Sequence, residues 1–334
     1  MKKRLLIAGI LFLISALACL GFVADLWSYA NEPVSADSEK IVIHLKPGQS
    51  FATTAALLEE KGLISSPFRF NLISRFKGYD KKLQAGEYLL SGTMTPLHIL
   101  EKMAKGEVKL YKLTIPEGYN INQIAELVAE GGFAGKTDFI AMASDPVFAR
   151  EMGIQADTFE GYLFPDTYFF PKGTTTKKII GTMVDRFRKV FLPQWSEQSK
   201  SLGFSIHQVV TLASIIEKET GDPSERPVIS SVFHNRLKKK MRLESDPTVI
   251  YGIKNFDGNL TRKHLKTLTP YNTYKISGLP AGPIANPGRE SLVAALYPAD
   301  TPYIYFVSKK DRTHHFSTNL KDHNRAVRKY QLRR

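Results

Sequence analysis

The stretch Ser205-Ile-His-Gln-Val-Val-Thr-Leu-Ala-Ser-Ile-Ile-Glu-Lys-Glu-Thr220 reads as one helix with a defined start and stop. Ser205 followed three residues later by Gln208 is a capping box, and Gly221 with Pro223 can end the helix. At 3.6 residues per turn, Ile206, Val210, Ala213 and Glu217 share one face. Glu219 falls on the other side, beside Gln208, Thr211 and Lys218, although Leu212 and Ile215 adjoin that sector. The two glutamates are therefore expected to face opposite ways, with Glu217 inward and Glu219 in the polar sector. A carboxylate on an inner face has lost water, and desolvation favours the neutral acid that general acid catalysis requires. Two readings stand on spacing alone. Glu217 is a catalytic acid, or it is a structural glutamate paired with Arg226, Arg236 or Arg242.

The chain downstream of this helix supplies polar groups. Asp222-Pro-Ser-Glu225 is a second capping box with proline at the first helical position, followed by the apolar stripe Val228, Ile229, Val232, Phe233 and Leu237. Asn235 and Arg236 end that helix, and Lys238-Lys-Lys-Met-Arg242 is a basic surface run facing solvent, anionic lipid or acidic peptide. Ser245-Asp-Pro-Thr-Val-Ile-Tyr-Gly252 and Thr269-Pro-Tyr-Asn-Thr-Tyr274 are loop-rich. Gly278 to Gly288 holds six Gly or Pro in eleven residues, a stiff loop of the kind that lines sites. The candidate substrate-binding groups are Glu219, Asn235, Arg236, Asp246, Thr248, Tyr251, Tyr271, Asn272, Thr273 and Tyr274. The last four carry polar tips suited to sugar hydroxyls and acetamides. Tyr303 to Val307 with His314 to Phe316 predicts a hairpin, and Asn319 to Tyr330 a basic terminal helix.

Upstream, two stretches resemble each other at an offset of 70 residues: Ile43-His-Leu-Lys-Pro-Gly-Gln-Ser-Phe51 and Leu113-Thr-Ile-Pro-Glu-Gly-Tyr-Asn-Ile121. Each predicts a short strand, a Pro/Gly turn and an amphipathic helix. Gly86 to Gly92 predicts a further strand, and Thr95-Pro96 opens a helix through Met103. The order strand, helix, helix, strand from about 41 to 93 resembles a LysM-type carbohydrate-binding module; a plain spacer is the alternative. Phe159 to Pro171 is dense in aromatics, fitting either core packing or rings that stack on sugars near a cleft.

Lys2, Lys3 and Arg4 precede Leu5 to Ala24, twenty residues without a charge, which is enough for a membrane-spanning helix. The basic flank keeps the N-terminus inside, so the rest of the chain is expected outside the cytoplasm. A cleaved signal peptide would have a shorter apolar region and a small-x-small site. Ala16-Leu-Ala-Cys19 is a poor lipoprotein site, because Leu17 is bulky and apolar residues continue beyond it. Lys and Arg number 46 against 32 Asp and Glu, a formal charge of +14 that favours an anionic partner. Export argues against nucleic acid as that partner. The single cysteine, Cys19, excludes an intrachain disulfide and a Cys-based zinc site.

Other motifs fail. Gly131 to Thr137 mimics a phosphate loop, but Glu130 stands where its first glycine belongs. Ser74-Arg-Phe-Lys77 lacks the companion motifs of a Ser-Lys acylase, and no Gly-x-Ser-x-Gly occurs. No His-Glu-x-x-His occurs, and the neighbours His314 and His315 point to opposite faces of a strand. No metal or cofactor is expected.

Leu212-Ala-Ser-Ile-Ile-Glu-Lys-Glu-Thr220, Val232-Phe-His-Asn-Arg-Leu237, Ser245 to Gly252, Thr269 to Tyr274, Gly278-Leu-Pro280 and Glu160-Gly-Tyr-Leu-Phe-Pro-Asp-Thr-Tyr168 resemble, in order, the motifs of the endolytic murein transglycosylase (YceG-like) family. The resemblance spans nearly the whole chain. It implies cleavage between N-acetylmuramic acid and N-acetylglucosamine in peptidoglycan, leaving 1,6-anhydromuramic ends, with Glu217 as the catalytic glutamate. It also implies cell-wall synthases as neighbours. One carboxyl group suffices for that chemistry, and no second carboxylate to partner Glu217 is evident in the sequence. A non-catalytic glycan-binding scaffold is the rival reading. The expected architecture is α+β: a cytoplasmic tail (1–4), a single transmembrane helix (5–24), a linker (25–40), a small LysM-like module (41–110) and a larger mixed α/β catalytic domain (111–334).

Overall fold

The computed structural model describes residues 2–332. Met1 of the expected tail, and Arg333 and Arg334 of the expected catalytic domain, lie outside the described residues. The chain divides between Tyr111 and Lys112 into two compact units.

The first unit begins with α1 (Lys2–Asn31), long and apolar enough to cross a bilayer. Its apolar side chains, among them Leu6, Phe12 and Leu20, are exposed. The helix does not stop at Ala24 but runs on to Asn31, through the first seven of the sixteen residues read as a linker. The reason is packing: Tyr29 and Ala30 are buried in the core of this unit, and the Tyr29 hydroxyl donates to the Ser66 carbonyl at 2.9 Å. Then follow β1 (Lys40–Leu45), α2 (Phe51–Glu60), α3 (Pro67–Lys77), β2 (Gly86–Ser91) and α4 (Pro96–Lys105). β1 and β2 pair antiparallel from Lys40↔Ser91 to Leu45↔Gly86. Ile43, Leu45, Tyr88 and Leu90 bury one face of the ribbon against Leu58, Phe70, Ile99 and Leu100, the two-residue alternation expected of a half-buried sheet. Ser50, Ser66 and Thr95 each cap a helix by accepting a backbone N–H.

The second unit contains β3 (Tyr111–Thr114), α5 (Ile121–Glu130), α6 (Lys136–Ala143), α7 (Pro146–Glu151), β4 (Thr167–Phe170), α8 (Thr176–Val190), α9 (Pro193–Ser201) and α10 (Ile206–Glu219). After these come α11 (Arg226–Lys238), α12 (Asp246–Tyr251), α13 (Arg262–Lys266), α14 (Arg289–Leu296), the antiparallel hairpin β5 (Tyr305–Ser308) and β6 (His314–Ser317), and α15 (Leu320–Val327). β3 and β4 share a two-stranded sheet. α10 is the central element and packs against α9, α11, α12 and α14. Every residue from Val209 to Ile216 is buried, so this helix has no broad solvent face.

One local expectation is corrected, and one open alternative is decided for core packing. Asp222 does cap a short 3-10 turn at Pro223–Glu225, but Glu225 does not close a capping box. It accepts instead from the backbone N–H of His314 at 3.0 Å and lies 2.7 Å from His314 Nδ1, tying α11 to the hairpin. The aromatic run 159–171 is mostly core: Phe159, Tyr162, Phe164, Tyr168 and Phe170 are buried, with Phe159 edge-on to Phe148. The buried rings fill the unit and offer no sugar platform; Phe169 alone of the run's rings is exposed.

Candidate active site

Three chain segments meet at the C-terminal end of α10. The first is α10 itself, which ends in Glu217, Lys218 and Glu219. The second is the turn after β3, Pro116-Glu-Gly-Tyr119. The third is the Gly/Pro-rich loop that leads into α14.

Glu217 is only 8% exposed. Its Oε2 accepts the backbone N–H of Gly288 at 3.0 Å, and its Oε1 accepts from Arg226 Nη2 at 3.3 Å. The same Arg226 nitrogen lies 3.7 Å from Glu117 Oε2. One guanidinium therefore serves two carboxylates, one buried and one half exposed. Arg226 is one of the three arginines expected as a partner for Glu217, and the fold adds a second carboxylate, Glu117, that no motif in the sequence marks. Burial pushes the Glu117 carboxyl upward, and the neighbouring Glu217 charge adds to this, opposed by Arg226. Pairing with Arg226 also means that the structural reading of Glu217 and the catalytic one coincide at the same atoms.

The loop contacts explain how this geometry is held. Gly118 has φ +75, a conformation that favours glycine, and its N–H donates to the Asn286 carbonyl at 2.9 Å. Lys218 Nζ donates to the Gly118 carbonyl at 3.3 Å. Behind them lies Glu160, whose carboxylate accepts from the Ile121 N–H at the start of α5, from Asn286 Nδ2 at 2.9 Å and from the Tyr251 hydroxyl at 3.0 Å. Asn286 also accepts from the Leu163 N–H. Desolvation of this buried carboxyl raises it to about 7, with the hydrogen bonds opposing the shift. Ser214 on α10 accepts the Ile284 N–H at 3.0 Å. Glu160, Asn286 and Ser214 thus lock the stiff loop, the β3 turn and α10 into one frame. Their own positions in the sequence carry signals of turn and core only.

The other expected groups fall into two sets. Asn235 donates to the Thr301 and Tyr303 carbonyls, and Arg236, buried, donates to the carbonyls of Ile304, Arg242 and Leu243. Asn272 donates to three carbonyls between His264 and Thr267, while Thr248 and Thr273 bond each other and the Ser245 backbone. Tyr251 is taken up by Glu160 and packs on Tyr271, with ring centroids 4.8 Å apart. These side chains build loops. Glu219, Asp246 and Tyr274, with Arg236, line a separate cavity of about 350 Å³. There the Tyr274 hydroxyl donates to Asp246 at 2.8 Å and the Ser245 hydroxyl to Glu219 at 2.5 Å. Glu219 does point away from Glu217, but not into a solvated polar sector. Burial raises its carboxyl to about 7. The wheel misplaces it because α10 is enclosed on nearly all sides.

Among the described residues, no group of three or more His, Cys, Asp and Glu side chains converges as a metal site would require.

With this geometry in view, comparison with known proteins is decisive. The sequence pattern of the YceG-like family matches residues 43–329. The chain belongs to the YceG-like family. It is 36% identical over 316 residues to an endolytic murein transglycosylase of Bacillus subtilis, an alignment covering 90% of this chain and 87% of that protein. It is also 29% identical to an endolytic murein transglycosylase of Streptococcus pneumoniae, of whose length the alignment covers 59%. A crystal structure of a yceG-like protein from Listeria monocytogenes superposes with a TM-score of 0.61 at 36% identity, over 86% of this chain and 99% of that one. Both halves of the Glu117–Glu217 site lie inside the span matched to the YceG-like family.

Proposed function

We propose that this protein is an endolytic murein transglycosylase, a lyase that cuts the glycan backbone of peptidoglycan. The relatives from B. subtilis and S. pneumoniae carry that name. The observation that carries the reading is the nearly enclosed Glu217 carboxyl, held at the end of α10 by one backbone N–H and one guanidinium where the β3 turn and the stiff loop meet.

The chemistry follows from that placement. Glu217 protonates the glycosidic oxygen, and the bond from that oxygen to C1 of the muramic sugar breaks. The sugar's own 6-hydroxyl closes on C1, giving the 1,6-anhydro ring and releasing one proton to a carboxylate. No water is consumed, which separates the reaction from hydrolysis. Digestion of purified uncrosslinked strands by the intact protein should yield anhydro ends by mass spectrometry. Glu217→Gln keeps the side chain's shape but cannot shuttle a proton, so product should fall about 10²–10⁴-fold. Full activity in that variant removes Glu217 from the mechanism.

The apolar α1 supports a single membrane anchor, and the basic residues before it support an orientation with the catalytic unit outside the cytoplasm. In that setting the enzyme terminates nascent strands beside the cell-wall synthases. The strand–helix–helix–strand order of the first unit supports a LysM-like role in guiding glycan toward the site.

A further inference from the structure

Glu117 is unexplained by a one-carboxyl mechanism. It lies on the β3 turn and reaches the same Arg226 nitrogen as Glu217, at 3.7 Å against 3.3 Å. Half of its side chain is exposed, whereas Glu217 is nearly enclosed. The fold also clears space for it. A Cβ on Gly288 would stand 2.0 Å from Glu117 Oε1 and 2.1 Å from its Cδ. Gly288 has no need of glycine for its own backbone, since its φ of −72 suits any residue. What the missing side chain admits is the Glu117 carboxylate, beside the N–H that holds Glu217.

The charged groups around Glu117 are Glu217 and Lys218 from α10, Arg226 from α11 and Glu290 from α14. Arg226 is the one cation within ion-pair distance of both carboxylates among the described residues. One cation beside two carboxylates leaves one negative charge uncompensated, and burial together with the Glu217 charge pushes the Glu117 carboxyl upward, which makes it the readier acceptor of a proton.

We propose that Glu117 is a second catalytic residue, the base that receives the proton of the muramic 6-hydroxyl while Glu217 serves as the acid. This rests on the reading of Glu217 given above. The balance is closed. Glu217 gives its proton to the glycosidic oxygen as the C1–oxygen bond breaks. The 6-oxygen forms its bond to C1, and its proton passes to Glu117. The pair ends with one proton, as it began, and transfer from Glu117 back to Glu217 through water at the open side of the site resets the enzyme. The more exposed carboxylate can reach the sugar and solvent.

The test is Glu117→Gln in the full-length protein, assayed on uncrosslinked glycan strands across pH. kcat should fall about 10²-fold or more, with KM changed less than about threefold. The low-pH limb of the kcat profile, which reports protonation of the base, should disappear while the high-pH limb remains. Glu117→Asp should restore part of that limb. A Glu117→Gln protein with both limbs and a kcat within about threefold of the parent overturns the proposal. So does failure of that variant to show a cooperative melt, because the residue would then be structural. Glu217→Gln in the same assay keeps the two ideas separate. If it is fully active, the parent reading has failed. If it is dead while Glu117→Gln is normal, only the second carboxylate has.

Discussion

Gly161 sits at φ +87, and a Cβ there would lie 2.6 Å from both Pro283 Cγ and Val210 Cγ1. This is where the stiff loop, α10 and the segment bearing Glu160 press together. Gly161→Ala combines backbone strain with overpacking and should cost at least about 2 kcal/mol, read as a lowered denaturation midpoint. A wild-type midpoint would mean the loop can move aside and is not a rigid wall. Glu219 answers to pH instead. Its folded carboxyl lies near 7 against an ordinary 4.5. The folded state thus binds the proton more tightly, so its contribution is full below about 4.5 and is lost as pH rises through about 7. Glu219→Gln should flatten the fall of Tm between those values and leave anhydro-end formation within about threefold of the parent. An unchanged Tm slope would show that burial does not raise the Glu219 carboxyl as drawn.

At the level of elements, α10 and the β3 turn divide what could be foreseen from what could not. α10 announced itself through its cap, its length and its glycine stop, all local signals, and the hairpin and terminal helix did likewise. The exposure of its faces was not local. A helical wheel assumes one dry side and one wet side, and α10 is packed by four other helices. In the sequence Glu117 reads only as part of a Pro/Gly turn, because its meeting with Glu217 depends on contacts between segments 100 residues apart. The same limit applies to Glu160 and Asn286, whose contact spans 126 residues. The β3 turn also yields a test. In Gly288→Ala the new methyl displaces the end of a flexible Glu117 side chain, so stability should change by less than about 1 kcal/mol. Strand cleavage should nevertheless fall by at least about tenfold, since the carboxylate loses its seat while the Glu217-binding N–H remains. Cleavage at the parental rate would show that Glu117 needs no such seat.

Across the molecule, α1 joins two parts that composition alone would assign to separate segments. Its exposed apolar stretch suits lipid, while its last turns belong to the folded first unit. Asp25 pairs with Arg69 at 3.1 Å, Tyr29 bonds to Ser66, and Ala30 closes the core. The apolar helix therefore enters the folded first unit without a loose joint, and the position of a truncation should matter more than its length. A chain beginning at Asp25 should leave the membrane fraction without detergent, keep the first unit's melting transition and still cut purified strands to anhydro ends. A chain beginning at Glu32, only seven residues shorter, removes Tyr29 and Ala30 from the core. Loss of a buried aromatic side chain costs about 3–5 kcal/mol, so its first unit should melt well below that of the Asp25 chain. Amide hydrogen exchange should then be fastest in α3 and α4, where the lost contacts lie. Equal melting of the two chains would make residues 25–31 a mere tether, and retention of the Asp25 chain in membranes would mean that the first 24 residues are not what holds the protein there.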